Sequence, residues 1–382
     1  MEPEIQPMAP QSAQEAQLLP DVPAPAPDGE PYRGLRWIFI GSQGLRAGWS
    51  VAAFILLLLL FGFAAGTVFS KAHLIGTQDA FTAKSAFFGE LVGLLGMLGA
   101  AAIVALIEHR RIVDYNLTGP HRVSHFVSGL VAGFAALSAL VGALAWGGWL
   151  HFGPVALSGR QVFTYAALWA CVFLMVGCVE EGTMRCFLLY TLTRGINFWW
   201  ALGLIGAICI DLVVRSKGQG VWGVYLIAAL GLIPCFLLHL KKSPASGFWQ
   251  AAWVTSTFFG FGHTGNNGEN WIGIFTAAFV GFVFCVSVKV TGSAWWAIGC
   301  HAAWDWAETY FYGAADSGNV ATGHYLTTSP VGNILWSGGA DGPEGSLLVL
   351  PIVLLLLAVL LLAYGRKRPA TLTAPVTAQV AD

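Results

Sequence analysis

Hydrophobic residues gather along the chain into long runs separated by short polar stretches, and these runs set the architecture. A helix needs about 20 mostly apolar residues to cross a bilayer. Ten segments approach or exceed that length: 48–70, 86–107, 124–149, 162–192, 197–214, 220–240, 247–264, 271–288, 294–312 and 346–364. The pattern predicts an all-α polytopic transmembrane helix bundle of about 8–10 spans. The run 162–192 is too long for one simple span and reads as a spanning helix that continues into an amphipathic one. Asp211, Arg215 and Lys217 crowd the junction of 197–214 with 220–240, so these two segments read either as two spans or as a re-entrant pair. No fixed-period repeat accompanies the runs, which leaves a two-fold-repeat transporter without support beyond hydrophobicity.

Composition strengthens the membrane reading: 56% of residues are apolar and 10% charged, against roughly 25% charged in soluble domains. A net charge of −1, with no basic patch interleaved with aromatics, argues against nucleic acid as a partner. Cys171, Cys178, Cys186, Cys209, Cys235, Cys285 and Cys300 lie in or beside apolar runs and form no C-x-x-C pair, so they read as small core hydrophobes. With a cytoplasmic N-terminus, the inside segments collect Arg33, Arg36, Arg46, Arg110, Arg111, Arg122, Arg194, Lys241, Lys242, Lys289, Arg366, Lys367 and Arg368. The outside holds Lys71, Lys84, Arg160, Arg215 and Lys217. That asymmetry obeys the positive-inside rule and predicts that both termini are cytoplasmic.

The organisation expected from these patterns begins with a disordered cytoplasmic tail, 1–31, rich in Pro, Ala, Gln and acids and lacking the basic and apolar regions of a secretory signal. N-terminal transmembrane helices follow over 32–160, then a transmembrane core, 161–312, that carries the polar clusters described next. After it come an extracytoplasmic loop, 313–345, a last span with its basic flank, 346–368, and a second disordered tail, 369–382. The loop has no Lys or Arg, is rich in Gly, Ser, Thr and Asn, and carries Trp336 and the turn-like Asp341-Gly342-Pro343. A loop of that length is either a functional lid or binding loop or a plain exposed connector.

Charge inside the apolar runs is where chemistry enters. An ionisable side chain at membrane depth costs at least a few kcal/mol and usually faces a protein interior or a wet cavity. Glu180, Glu181 and Arg185 sit in the apolar stretch 171–192. On a helix Glu181 and Arg185 are i and i+4 on one face, in the favourable acid-before-base order. Glu180 points about 100° away, which suggests a buried Glu181–Arg185 pair that fixes the helix and a Glu180 free for a cavity. A packing network without chemistry reads these residues equally well. His263 ends the aromatic segment Phe258-Phe259-Gly260-Phe261-Gly262-His263, where it faces the turn bearing Phe259. His301 and Asp305, again i and i+4, can bind a metal, polarise a carbonyl or hydrogen-bond to one another. Each cluster alone has an ordinary structural explanation, whereas three on different apolar helices make a shared site the more economical reading.

The ordered set E-E-x-x-x-R, F-x-x-x-H and H-x-x-x-N/D, each in an apolar segment, resembles the CPBP intramembrane proteases, that is the CAAX prenyl endopeptidases and their bacterial bacteriocin-processing and self-immunity relatives. Glu180-Glu181-Met184-Arg185, Phe259 with His263, and His301 with Asp305 match the motifs in order, and the resemblance covers roughly 171–312. It implies a glutamate peptidase with a catalytic cavity within the membrane. Glu180, assisted by His263, would activate a water; His301 and residue 305 would stabilise the oxyanion; Glu181, Arg185 and Phe259 would support the geometry. A base within reach of a water and donors aimed at the developing charge are what peptide hydrolysis requires.

Asp305 departs from the pattern where asparagine could donate through its amide, because an ionised aspartate only accepts. It must be protonated, orient His301, or help bind a metal. With Glu180, His263 and His301 it would complete an N/O ligand set for zinc, the alternative to a cofactor-free enzyme. A transporter or scaffold using the same buried charges is the reading from another class. The expected partners are a membrane protein or peptide substrate and the lipid bilayer, and the expected location is a bacterial plasma membrane, integral and multi-pass.

Overall fold

The computed structural model describes residues 36–41, 44–75, 81–217, 221–242, 245–266 and 268–365. The expected tails 1–31 and 369–382, with Arg33, Arg366, Lys367 and Arg368 of the charge asymmetry, lie outside the described residues. The described residues up to Gly44 and those from Leu45 onward belong to two units. In the first, a helical turn, Arg36–Phe39, and a strand, Ile40–Gly41, are described; the second holds the site.

Every apolar run is helical. In chain order the helices are α1 (Ala47–Lys71), α2 (Ala83–Ile107), α3 (Arg122–Trp146), α4 (Arg160–Glu181), α5 (Phe198–Arg215), α6 (Val221–Lys241), α7 (Ser246–His263), α8 (Trp271–Thr291), α9 (Trp295–Asp305) and α10 (Val349–Tyr364). Among the described residues seven helices, α1 to α6 and α8, are long and apolar enough to cross a membrane. The chain is a polytopic all-α membrane protein with several passes.

Two local readings become definite. The run 162–192 is one continuous helix: α4 continues through a π-helical segment, Gly182–Leu188, and a last α-helical piece, Leu189–Thr193, as 34 residues of unbroken helix. The re-entrant alternative for 197–240 gives way to two helices of spanning length, of 18 and 20 residues. Two of the charges at their junction are paired locally, because Arg215 bridges to Asp211 at 2.6 Å one turn earlier on an exposed face. The cysteines are free, and Cys171 is exposed rather than in the core.

The tightest helix crossing is the one that seats His301. Gly129 and Gly133 of α3 form a G-x-x-x-G step facing α9. A Cβ at Gly133 would lie 2.0 Å from the Cys300 carbonyl oxygen, and one at Gly129 would lie 2.2 Å from that of Trp296. Small residues at such spacing let two backbones approach in a setting where packing, not water, drives helix association. The residue after Cys300 is therefore held by backbone contact, with little freedom to shift.

Loops sort to the two ends of the bundle. At one end, β1 (Leu150–Phe152) pairs antiparallel with β2 (Thr328–Pro330) of the long loop, and Thr322 N–H donates to the Phe81 carbonyl. There too Asn270 caps α8, accepting from Ile272 and Gly273 N–H, while its amide donates to the Gly345 carbonyl at 3.1 Å. Loop 313–345 is thus fastened across this end rather than free. At the other end, Ala294 N–H donates to the Asn116 carbonyl, Arg194 pairs with Glu108 at 2.7 Å, and Lys289 lies over the Phe248 ring at 5.0 Å.

Candidate active site

Glu180 and Glu181 end the α-helical part of α4, and the π-helical segment begins at the next residue. Asp305 likewise ends α9 and is followed at once by a second π-helical segment, Trp306–Tyr312. Such segments concentrate at functional sites, because the wider turn re-aims side chains without ending the helix. It also frees backbone carbonyls, and the Asn116 side-chain amide donates to that of Arg185 at 2.7 Å.

The two adjacent glutamates face different surroundings, as their 100° separation on a helix requires. The side chain of Glu181 is 0% exposed and that of Glu180 39% exposed. Arg185 Nη1 donates to Glu181 Oε1 at 3.1 Å, with both side chains fully buried. Among the described residues, Arg185 Nε and Nη2 have no acceptor. They lie instead in an aromatic slot, with the guanidinium carbon 4.3 Å from the Phe259 ring centre and 5.4 Å from that of Phe284. Cation–π attraction is strongest in such desolvated places. Gly281 makes the room, since a Cβ there would lie 2.5 Å from Arg185 Nη2.

His301 is held from both sides. Its Nδ1 is 2.9 Å from Glu181 Oε1, while Nε2 is 3.7 Å from Glu180 Oε2 and 3.4 Å from Asp305 Oδ2. Glu181 is already engaged as an anion by Arg185, so Nδ1 must carry hydrogen and donate to it. His263 Nδ1 is 2.8 Å from the Phe259 carbonyl oxygen, which only accepts, so this nitrogen also carries the hydrogen and Nε2 is the free nitrogen. The aromatic four residues before His263 therefore serves twice: its carbonyl sets the His263 tautomer and its ring covers Arg185.

Glu180, His263, His301 and Asp305, from α4, α7 and α9, all line one cavity of about 490 Å³. The structure thus brings together every site residue singled out from sequence, four on the cavity wall and Glu181, Arg185 and Phe259 in or against it. It adds others. Glu90 of α2 lines the same cavity, as do Asp316, Asn319 and Glu344 from loop 313–345. The loop is accordingly part of the cavity wall and not a plain connector. Glu90 and Glu308 carry the signal that singled out Glu180, an acid within an apolar run; Asp316 and Glu344 carry none, because acids in an exposed-looking loop are ordinary. Outside the spans, burial pushes the Glu269 carboxyl up to about 8, with Asp341 adding to the effect, and burial pushes Asp341 up to about 6.

Helices of spanning length that enclose a cavity lined by carboxylates and imidazoles define a polytopic membrane protein with a polar site among its helices. Residues 235–307 match the family model of the type II CAAX prenyl endopeptidases, Rce1-like, and over that stretch the chain is similar to this protease family. The match spans His263, His301 and Asp305; Glu180 lies outside it and lines the same cavity, while Glu181 and Arg185, also outside it, reach the cavity residues His301 and Phe259. No curated protein and no solved structure matches the chain.

Proposed function

We propose that the protein is an intramembrane endopeptidase that hydrolyses a peptide bond of a membrane-associated protein or peptide with a water activated by Glu180. The observation that carries this reading is the convergence of Glu180, His263, His301 and Asp305 on one cavity within a protease-family context. Glu180 is the half-exposed acid and accepts a proton from the water as its oxygen attacks the scissile carbonyl carbon. His263 presents its unprotonated Nε2 to the same space and orients that water. The electron pair of the carbonyl moves onto its oxygen, where His301 Nε2 and Asp305 face it. With Glu180 ionised as base, a proton held between His301 Nε2 and Asp305 makes that pair the donor to the oxyanion. Collapse then expels the amine, which takes the proton from Glu180. Glu181, with Arg185, holds His301 by its other nitrogen.

The shared-proton arrangement resolves the departure at 305 and predicts the effect of changing it. Asp305→Asn keeps a donor beside His301 Nε2, so cleavage of a reporter peptide by the purified protein should persist within about tenfold and decline less at high pH than in the wild type. A zinc enzyme using Glu180, His263, His301 and Asp305 behaves oppositely: the amide is a poorer ligand, the variant is inactive, and a zinc-selective chelator already inhibits the wild type. That second pattern would rule out the cofactor-free mechanism.

The orientation proposed here rests on the charge difference between the two ends of the bundle. The end bearing Arg110, Arg111, Arg122, Arg194, Lys241, Lys242 and Lys289 is assigned to the cytoplasm, both termini with it, and loop 313–345 to the opposite side of a bacterial plasma membrane. Reporter fusions at Lys289 and Asp316 should report opposite compartments; the same compartment for both would mean that α9 does not cross.

A further inference from the structure

Beside the cavity residues used above lies a second acidic cluster that the proposed hydrolysis does not need. Glu308 comes from the π-helical segment after α9, and Asp316 and Glu344 from loop 313–345. One carboxylate oxygen from each lies within 4.8 Å of the others. Two oxygens on opposite sides of one ion, each at about 2.4 Å, are about 4.8 Å apart, so the spacing is that of a single shared cation.

Each of the three carboxylates is held by a donor on one oxygen. Trp304 Nε1 donates to Glu308 Oε2 at 3.2 Å and to Glu344 Oε1 at 2.7 Å, and Thr309 Oγ1 donates to Asp316 Oδ2 at 2.7 Å. Glu308 is 0% exposed, and its Oε1 has no hydrogen-bond partner among the described residues. A buried carboxylate oxygen without a donor is costly. Among the described residues no Lys or Arg forms an ion pair with any of the three. Carboxylates held by hydrogen-bond donors are the usual ligands of a bound metal.

We propose that Glu308, Asp316 and Glu344 bind a hard divalent cation of the Ca2+ or Mg2+ class, which ties loop 313–345 to the helix that carries His301 and Asp305. The set is all carboxylate oxygen, with no imidazole or thiolate, and therefore selects hard ions over zinc or copper. Three single-oxygen ligands leave further positions to water. Because Asp316 and Glu344 also line the cavity, the ion would hold that part of its wall in place. The site shares no ligand with Glu180, His263, His301 and Asp305, so it stands whether or not the proposed hydrolysis is correct.

The experiment uses the full-length protein in neutral detergent with Tb3+ as a luminescent stand-in for Ca2+. Trp304, bonded to two of the ligands, should sensitise terbium emission that saturates at one ion per chain and is displaced by Ca2+ or Mg2+, the more effective competitor naming the preferred ion. Asp316→Asn combined with Glu344→Gln should weaken binding at least tenfold and abolish the rise in thermal midpoint on adding Ca2+ or Mg2+. Trp304→Phe should lose emission but keep that rise, although it removes a steering donor, and Glu180→Gln should keep both. Binding should also weaken as pH falls, since the ligands must be deprotonated. Should the double variant not fold, Asp316→Asn alone, in the loop, carries the same test. Absence of any saturable emission and of any cation-dependent thermal shift, or emission undiminished in the folded Asp316 and Glu344 variants, would overturn the proposal.

Discussion

Glu180→Gln is expected to remove peptide cleavage, by at least about 10² to 10⁴-fold, the usual contribution of a positioned general base, while leaving the thermal midpoint close to wild type. The two halves of this expectation rest on different features. The chemical half follows from replacing a carboxylate that can accept a proton with an amide that cannot, on the wall of the cavity that His263 and His301 share. The structural half follows from exposure: the Glu180 side chain is 39% exposed and its ion-pair contact is a 3.7 Å approach to His301. Cleavage assays paired with thermal melts of the purified protein check both at once. Cleavage that survives in Glu180→Gln would remove Glu180 as the base, and an unfolded variant would show that its role is structural. A transporter using the same buried charges would instead show coupled flux and tolerate the change in part.

Arg185→Ala should act on stability first. It leaves the fully buried Glu181 carboxylate without its cation, and breaking a buried pair from one side costs roughly 3–5 kcal/mol, because an uncompensated charge remains in a place that water cannot reach. It also empties the slot between Phe259 and Phe284. Activity should fall as well, since Glu181 holds His301 Nδ1 at 2.9 Å and an unanchored Glu181 no longer fixes that ring. Arg185→Lys restores the charge but not the flat face that lies on the rings, so it should recover part of the stability. A lowered melting midpoint for Arg185→Ala with partial recovery in Arg185→Lys is the expected result; an unchanged midpoint in Arg185→Ala would mean that the pair is not buried as described.

Much of the fold was legible in the chain. Each of the ten apolar runs is a helix, because a bilayer admits few structures and an apolar run of spanning length leaves the backbone no other way to satisfy its hydrogen bonds. Continuity was harder to read: hydropathy alone does not distinguish one long helix from a spanning helix joined to an amphipathic one, nor two spans from a re-entrant pair. The positions that bear charge within apolar runs were readable for the same energetic reason, and Glu180, His263, His301 and Asp305 all reach one cavity. Glu90 and Glu308 carry the same signal without a motif around them. The G-x-x-x-G step at Gly129 and Gly133 was also present in the sequence, but its partner surface on α9 is a property of the crossing.

By itself the sequence determined that this is a multi-pass helical membrane protein, which residues are charged where charge is expensive, and that Glu180 and Glu181 must face different ways. These follow from local rules, the length needed to span a bilayer and the 100° step of a helix, and need no knowledge of what packs against what. The tertiary structure decided which nitrogen of His263 is free, that Glu181 holds His301 as well as Arg185, that Gly281 makes room for the guanidinium, and that loop 313–345 returns Asp316 and Glu344 to the cavity wall. Each of those depends on atoms brought together from helices far apart in the chain, and a side chain's hydrogen-bond partner across such a distance is set by packing, which no local pattern encodes.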